Sequence, residues 1–257
     1  MAAAASFRRS CVFLLGGGVP AASGRYGNGK RRALCTRVCG REGMQTRVYF
    51  VRHGESEANM RGLLAAHYDV ALTPRGEEQA LACAEALSDV PFSAIYSSDL
   101  TRTVQTAQPH GRIHGLEVIL TRRLREFDAG LWTGLSFDEI ERRYPDLYPG
   151  PWRDAFGVFQ PPEGENMVAA AQRLYDFAME CCERHAGGAV LFVTHAGILR
   201  AFWGKLMGIP PEELAARLPF CPNASYSCAE LRDGCLTPLF YGKPIAEEET
   251  PTGEQNA

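Results

Sequence analysis

Histidine, arginine and carboxylate side chains follow the predicted strands of this chain at four points. The segments are Arg52–Gly54, Ser97–Arg102, Glu126–Asp128 and Thr194–Gly197. Because ligands bind at the carboxyl ends of the strands in open α/β sheets, we expect two histidines, two arginines and a carboxylate to meet at one edge. The set suits the transfer of a phosphoryl group.

Each residue type in this set has a task in such a reaction. Arginine forks neutralise the negative charge of a phosphomonoester with paired hydrogen bonds. A neutral imidazole attacks phosphorus in line and forms a phosphohistidine. A carboxylic acid then protonates the leaving alkoxide and later accepts a proton from the hydrolytic water. Since side chains supply the charge, we expect neither a metal nor another cofactor.

The elements that position these residues show an α/β pattern. From Thr46 onward, short apolar runs alternate with longer amphipathic segments, which predicts alternating strands and helices. The run 188–194, GAVLFVT, predicts a buried central strand. Two final apolar runs joined at Asp233 and Gly234 predict a hairpin. The predicted fold is therefore a three-layer α/β/α arrangement: a mostly parallel sheet, helices on both faces and a C-terminal antiparallel edge hairpin.

The two ends of the chain differ from its body. Residues 1–43 contain eight Lys and Arg residues and one Glu, and their short apolar run ends at three glycines. Three interpretations stay open: a mitochondrial-type presequence, a weak secretory signal, or sequence upstream of a true start at Met44, which we favour. We expect a disordered leader 1–43, a catalytic domain 44–243 and a disordered polar tail 244–257. The expected location is cytoplasmic, or mitochondrial if the leader is a presequence.

Composition excludes several functional classes. The 257 residues are 46% hydrophobic and 22% charged, as in soluble globular proteins. No apolar run reaches the roughly 18 residues of a membrane-spanning helix. Residues 44–257 contain 19 basic and 29 acidic residues, a balance that disfavours nucleic-acid binding. The nine cysteines lack zinc-ligand spacing, so we expect reduced thiols packed in the core.

Four segments of the chain resemble the histidine phosphatase superfamily, in the branch that contains phosphoglycerate mutases, fructose-2,6-bisphosphatases and α-ribazole phosphatase-like enzymes. In family order they are VYFVRHGESEAN, IYSSDLTRTVQTA, LREFDAGLWTG and VLFVTHAGILR. Together they extend over most of the body, from Val48 to Arg200. The resemblance implies an α/β phosphatase domain that acts on phosphorylated small molecules.

The resemblance also implies which residues react. His53 would be the phosphorylated nucleophile and Glu126 the proton donor. Asp128, two residues further on, would serve as the acid only if Glu126 faced away. The ordinary alternative for Glu126 is a salt bridge with Arg123 or Arg125.

Five positions would bind the phosphoryl group. By resemblance, Arg52, Arg102 and His195 hold its oxygens, and Asn59 lines the same pocket. The backbone amide of Ala196, at the start of a helix, would donate one more hydrogen bond. Family members often have Gly at this last position, a difference that removes no reacting group and that could alter the shape of the pocket.

Three functions compete for this set of residues. We expect hydrolysis, because the segments REFDAGLWTG and PPEGENM resemble the small phosphatases, whereas mutases usually carry a longer insertion that shields the intermediate from water. The alternatives are phosphoglycerate mutase-type transfer and an inert module that binds a phosphorylated ligand. The Pro- and aromatic-rich stretch 144–162 predicts an irregular excursion over one face. The sequence leaves the substrate and the oligomeric state open.

Overall fold

A six-stranded sheet forms the centre of the computed structural model, which describes residues 45–147 and 160–245. Its strands are β1 (Thr46–Arg52), β2 (Phe92–Ser97), β3 (Val118–Leu120), β4 (Ala189–Thr194), β5 (Tyr226–Arg232) and β6 (Cys235–Lys243). The spatial order is β3-β2-β4-β1-β5-β6. Strands β1 to β4 run in the same direction, β5 is antiparallel to its neighbour β1, and β6 is antiparallel to β5. The predicted α/β fold with an edge hairpin is confirmed.

Seven helices lie between the strands in the described ranges, and the two short ones at Glu57–Met60 and Leu214–Arg217 were not predicted. They are α1 (Glu57–Met60), α2 (Pro74–Ala86), α3 (Thr101–His114), α4 (Phe137–Arg143), α5 (Met167–Arg184), α6 (Ala196–Met207) and α7 (Leu214–Arg217). Thr73 Oγ1 accepts a hydrogen bond from the Gly76 amide and caps α2. Ser136 and Glu139 form the capping box that begins α4.

Both faces of the sheet are covered, which makes three layers. Alternate residues of a strand point to opposite faces. Val48 and Phe50 of β1 pack in one cluster with residues of α5 and α6. Val51 packs in a second cluster with Cys83 of α2 and Ala107 of α3. The central strands β1, β2 and β4 are therefore largely buried between the two layers of helices.

The strand register brings the predicted site residues to one edge. Arg52 at the end of β1 pairs with Thr194 at the end of β4, and Ser97 of β2 pairs with Val193. His53, Ser98 and His195 follow these strand ends directly. Because β5 is antiparallel to β1, its first residues lie at the same edge.

Some predictions lie outside the described residues. These are the leader 1–43, the part of the excursion at 148–159 and the tail from 246 onward. Among the described residues, the six cysteines are free and five of them are buried. In the same ranges, no helix combines the length and the apolar character that crossing a bilayer requires.

Candidate active site

A cavity of about 570 Å³ opens at the carboxyl edge of the parallel strands. Its inner end is lined by Arg52, His53, Arg102 and Glu126. These side chains come from β1, α3 and the loop after the short 3₁₀ turn at Arg122–Leu124. The structure thus brings together residues that are up to 74 positions apart in the sequence.

His53 is buried at the inner end, with 5% of its surface exposed. Its Nδ1 lies 2.7 Å from the Gly54 carbonyl oxygen. Because a carbonyl only accepts hydrogen bonds, Nδ1 carries the hydrogen and Nε2 keeps its lone pair. Burial and the neighbouring charges of Arg102 and Arg52 lower the pKa of His53 well below its ordinary value. The imidazole is therefore neutral and nucleophilic at neutral pH.

Two glycines hold the backbone beside His53. A Cβ atom on Gly54 would lie 2.3 Å from the Gly76 carbonyl oxygen, and one on Gly76 would lie 2.0 Å from that of Glu55. The Gly54 amide donates to Thr106 Oγ1 at 3.1 Å, which ties the loop to α3. This close contact between the two backbones fixes the Gly54 carbonyl group, and the hydrogen bond to that carbonyl orients the His53 ring.

The two arginines are held by backbone carbonyls. The Nη atoms of Arg102 donate to the carbonyl oxygens of Tyr68 (3.0 Å) and Ala66 (2.7 Å), and Arg52 Nη1 donates to that of Cys221 (2.6 Å). Burial lowers the pKa of both guanidinium groups, that of Arg102 to about 10. The Nε atom of each is buried and has no hydrogen-bond partner among the described residues. Each arginine thus keeps a buried donor at Nε, besides those Nη hydrogens that the carbonyls do not take up.

His195 provides a third donor of this kind. Its ring centroid lies 5.3 Å from that of His53, and its Nε2 lies 3.0 Å from Ser98 Oγ. Ser98 Oγ accepts from the Leu100 amide at 3.4 Å, and His195 Nε2 is the acceptor that the described residues offer to the hydroxyl hydrogen, so we assign that hydrogen to the bond with Nε2. The ring hydrogen therefore resides on Nδ1, which is buried without a partner in the described parts of the chain. Burial and Arg102 lower the pKa of His195, so this donor belongs to a neutral ring.

Glu126 lies at the N-terminus of α6. Its Oε2 accepts from the Gly197 amide (2.8 Å), and its Oε1 accepts from the amides of Ile198 (2.7 Å) and Phe127 (3.1 Å). Burial raises the pKa of this carboxyl, while these amides oppose the rise. Oε2 has one amide partner and so retains a lone pair that can hold a proton. Glu126 makes no salt bridge to Arg123, which pairs with Glu180.

Asp128 lies in a different environment. Its side chain is 46% exposed and lies 3.7 Å from His67 Nδ1. One of its oxygens accepts from the Gly130 amide at 2.9 Å. Because Glu126 faces the cavity and Asp128 is engaged at the surface, the geometry favours Glu126 as the acid.

Asn59 and Ala196 also line the cavity. Asn59 Oδ1 accepts from the Ser56 amide at 3.1 Å and completes the cap of α1. Ala196 is the first residue of α6, next to the amides that hold Glu126.

The loop at 221–224 is a part of the site that sequence reasoning missed. Asn223 Nδ2 donates to the His53 carbonyl oxygen (3.1 Å) and to Asn59 Oδ1 (3.1 Å), and the Ala224 amide donates to the same His53 oxygen (3.2 Å). The sequence predictions rest on polar residues that follow strands, whereas this loop precedes β5. An antiparallel strand begins at the edge where its neighbour ends, so Asn223 just before the hairpin was the available signal.

Comparisons with known proteins agree with this geometry. The family model described as "Histidine phosphatase superfamily (branch 1)" matches residues 48–242. The chain is 33% identical over 188 residues to phosphoserine phosphatase 1 of Hydrogenobacter thermophilus, covering 73% of this chain and 87% of the relative. It is 30% identical to the probable phosphoglycerate mutase GpmB of Escherichia fergusonii, covering 63% and 75%. The crystal structure of the α-ribazole phosphatase from Shigella flexneri matches with a TM-score of 0.67 at 27% identity, covering 79% of this chain and 99% of that one.

Proposed function

We propose, from the premise that this chain belongs to branch 1 of the histidine phosphatase superfamily, that it hydrolyses small-molecule phosphate monoesters through a phosphohistidine on His53. One observation carries the proposal. Three buried donors, Arg52 Nε, Arg102 Nε and His195 Nδ1, have no partner among the described residues. Arg52 and Arg102 line the cavity, and the ring of His195 lies 5.3 Å from that of His53, centroid to centroid. Buried donors normally have partners, and a phosphoryl group supplies the missing acceptors.

In the first half-reaction, the lone pair of His53 Nε2 attacks phosphorus. As the N–P bond forms, the P–O bond to the alcohol breaks, and its electron pair stays on the departing oxygen. Glu126 transfers its proton to that oxygen and becomes a carboxylate. The products are phosphohistidine and a neutral alcohol.

In the second half-reaction, water attacks the phosphohistidine. The carboxylate of Glu126 takes a proton from the water as the new P–O bond forms, and the N–P bond breaks. The electron pair of the broken N–P bond returns to His53 Nε2, and inorganic phosphate leaves. The enzyme is restored with Glu126 protonated and His53 neutral.

The binding residues have a charge-stabilising role in both steps. Arg52, Arg102 and His195 donate to the phosphoryl oxygens, and Asn59 and the Ala196 amide complete the pocket. These fixed donors stabilise the charge that develops on the transferring group. The proposed reaction proceeds without a metal, because the arginine charges and the acid perform these tasks.

Phosphate release by the full chain in EDTA tests this proposal. We expect His53→Ala to lower turnover of a small phosphate monoester by roughly three or more orders of magnitude. The matched control is His114→Ala, since this histidine lies outside the cavity and is expected to leave turnover unchanged. Acid quenching should trap phosphate on His53 in the unsubstituted enzyme. Equal activity of the His53→Ala and unsubstituted enzymes would sink the proposed nucleophile.

Two other assays separate the alternatives. Conversion of 3-phosphoglycerate to 2-phosphoglycerate that depends on a bisphosphoglycerate primer, at a rate exceeding phosphate release, would identify a mutase. Binding of phosphate without turnover, with His53 intact, would identify an inert binding module.

We also propose a cytoplasmic location and a catalytic domain spanning 44–243. Six free cysteines in the described ranges support a reducing compartment. Imaging a fluorescent fusion of the full chain, beside one that starts at Met44, tests the location. Mitochondrial import of the full chain alone would assign the leader as a presequence.

A further inference from the structure

The cavity continues from its charged inner end to an apolar outer wall. Side chains of the loop after α1, of α4 and of the region around α7 form this wall, which includes Leu63, Leu64, Phe137, Ala215, Pro219 and Phe220. In-line attack places the leaving oxygen opposite His53 Nε2, so the alcohol part of a substrate extends away from His53. The outer wall is the surface available to it.

Among the described residues, the outer wall contains one charged side chain, Arg200, and its guanidinium is engaged. Its Nε donates to the Leu218 carbonyl oxygen at 2.6 Å, and its Nη2 donates to that of Leu214 at 3.3 Å. Its Cζ also lies 4.3 Å from the centre of the Phe220 ring. Arg200 is 3% exposed, so it braces the wall and offers little to a ligand.

The backbone holds one side of the wall in place. The Leu64 amide donates to the Leu135 carbonyl oxygen (2.9 Å), and the Gly134 amide donates to that of Leu64 (2.8 Å). Leu63 also forms a bridge with Ser136, the residue that caps α4. This arrangement preforms an apolar surface beside Phe137, which lowers the ordering cost of binding.

We propose that this outer wall is a leaving-group subsite that selects phosphate monoesters of uncharged, apolar alcohols, aromatic ones included. The inference rests on the proposed function and names its substrate class. A carboxylate-bearing alcohol would lose water there without gaining a cation, which is unfavourable, whereas a phenyl group gains apolar and ring contacts. The preference differs from the substrates named for the phosphoserine phosphatase and phosphoglycerate mutase relatives.

Two matched esters test the preference in the full chain. 2-Phenylethyl phosphate and the phosphate ester of 3-hydroxypropanoate are both primary alkyl esters, so leaving-group chemistry affects both similarly. We expect kcat/KM to be at least about tenfold higher for the phenylethyl ester, the scale of discrimination by an apolar pocket. O-Phosphoserine and 3-phosphoglycerate should also be poorer substrates than the phenylethyl ester.

Three variants then assign the preference to the wall. Phe137→Ala should lower kcat/KM for the phenylethyl ester about tenfold and leave the carboxylate ester and inhibition by inorganic phosphate unchanged. Phe240→Ala is the matched control, because this ring lies on β6 outside the cavity. Leu63→Arg should improve the carboxylate ester relative to the phenylethyl ester, a gain that misfolding does not produce.

The outcomes distinguish this inference from the proposed function. An equal or higher kcat/KM for the carboxylate ester would overturn the subsite while leaving the phosphohistidine mechanism intact. Retained activity in His53→Ala would overturn the mechanism itself. A Phe137→Ala variant that loses activity on both esters equally would show that the wall supports the fold without selecting substrates.

Discussion

The two ends of the cavity are built in different ways. The inner end consists of residues at the end of β1, on α3 and in the loop after the 3₁₀ turn at Arg122–Leu124. Backbone groups hold the side chains of Arg52, Arg102 and Glu126. The outer wall consists of apolar side chains on short helices and connecting loops. The sheet places Arg52 and His53 of the first set, and backbone hydrogen bonds hold its arginines and Glu126, while the second set can change without disturbing the sheet. If the two proposals hold, phosphate chemistry and substrate selection depend on separate sets of residues in this protein.

The two ends of the cavity also differ in the free-energy cost of their unoccupied state. A buried donor without a partner costs about 1–3 kcal/mol, and Arg52, Arg102 and His195, which lie at or beside the inner end, each carry one such nitrogen. An apolar wall carries no comparable penalty. The inner end is therefore poised for an anion, since a bound phosphoryl group removes a cost that folding has already incurred.

The largest effect should come from the acid, because the alkoxide leaves poorly without a proton. We expect Glu126→Gln to lower kcat/KM for alkyl esters about a thousandfold. Burial raises the pKa of Glu126, and only the protonated form donates, so kcat/KM should fall as pH rises through that raised pKa. A pH profile should show this alkaline limb in the unsubstituted enzyme and lack it in the variant.

Asp128→Asn is the matched carboxylate control for Glu126→Gln. Since Asp128 is engaged at the surface with His67, the substitution should change kcat/KM less than about twofold. A loss comparable with that of Glu126→Gln would transfer the acid role to Asp128. Such a result would place a reacting group on an exposed side chain outside the buried inner end.

A smaller effect should follow from Arg102→Lys, which keeps the charge and removes the planar fork. Lysine does not reproduce the two carbonyl contacts together with the Nε donor, so we expect kcat/KM to drop about a hundredfold. The drop should be equal for the phenylethyl and carboxylate esters. Arg125→Lys, at an arginine paired with Asp99, is the control. A change in the ratio between esters would break the proposed separation of the two ends.

The smallest effect should follow from Ser98→Ala, which removes the hydroxyl that orients the hydrogen of His195. We expect about a tenfold loss in kcat/KM, the scale of one hydrogen bond. The ¹⁵N chemical shifts of the ring should show the Nδ1–H form in the unsubstituted protein and a mixture of tautomers in the variant. Ser97→Ala is the control, because this buried hydroxyl does not contact His195. Unchanged ring shifts in Ser98→Ala would contradict the assigned orientation.

Much of the inner end was predictable from the sequence. Arg52, His53 and His195 border apolar runs that form strands, and parallel strands place their carboxyl ends together. The loop at Asn223 was missed because it precedes an antiparallel strand. Phe137 of the outer wall was not predicted either, since an apolar residue on a short helix is equally consistent with ordinary packing.

The sequence by itself determined the types of the reacting groups, the α/β order of the elements and the edge at which the groups meet. Only the tertiary structure decided which atoms of those groups remain available. The Arg102 Nη atoms contact carbonyls of Ala66 and Tyr68, residues more than 30 positions away, which leaves Nε as its unpartnered buried donor. Ser98 and Gly54 orient the ring hydrogens of His195 and His53. Protonation and hydrogen-bond capacity depend on burial and on neighbours in space, and these exist only once the chain has folded.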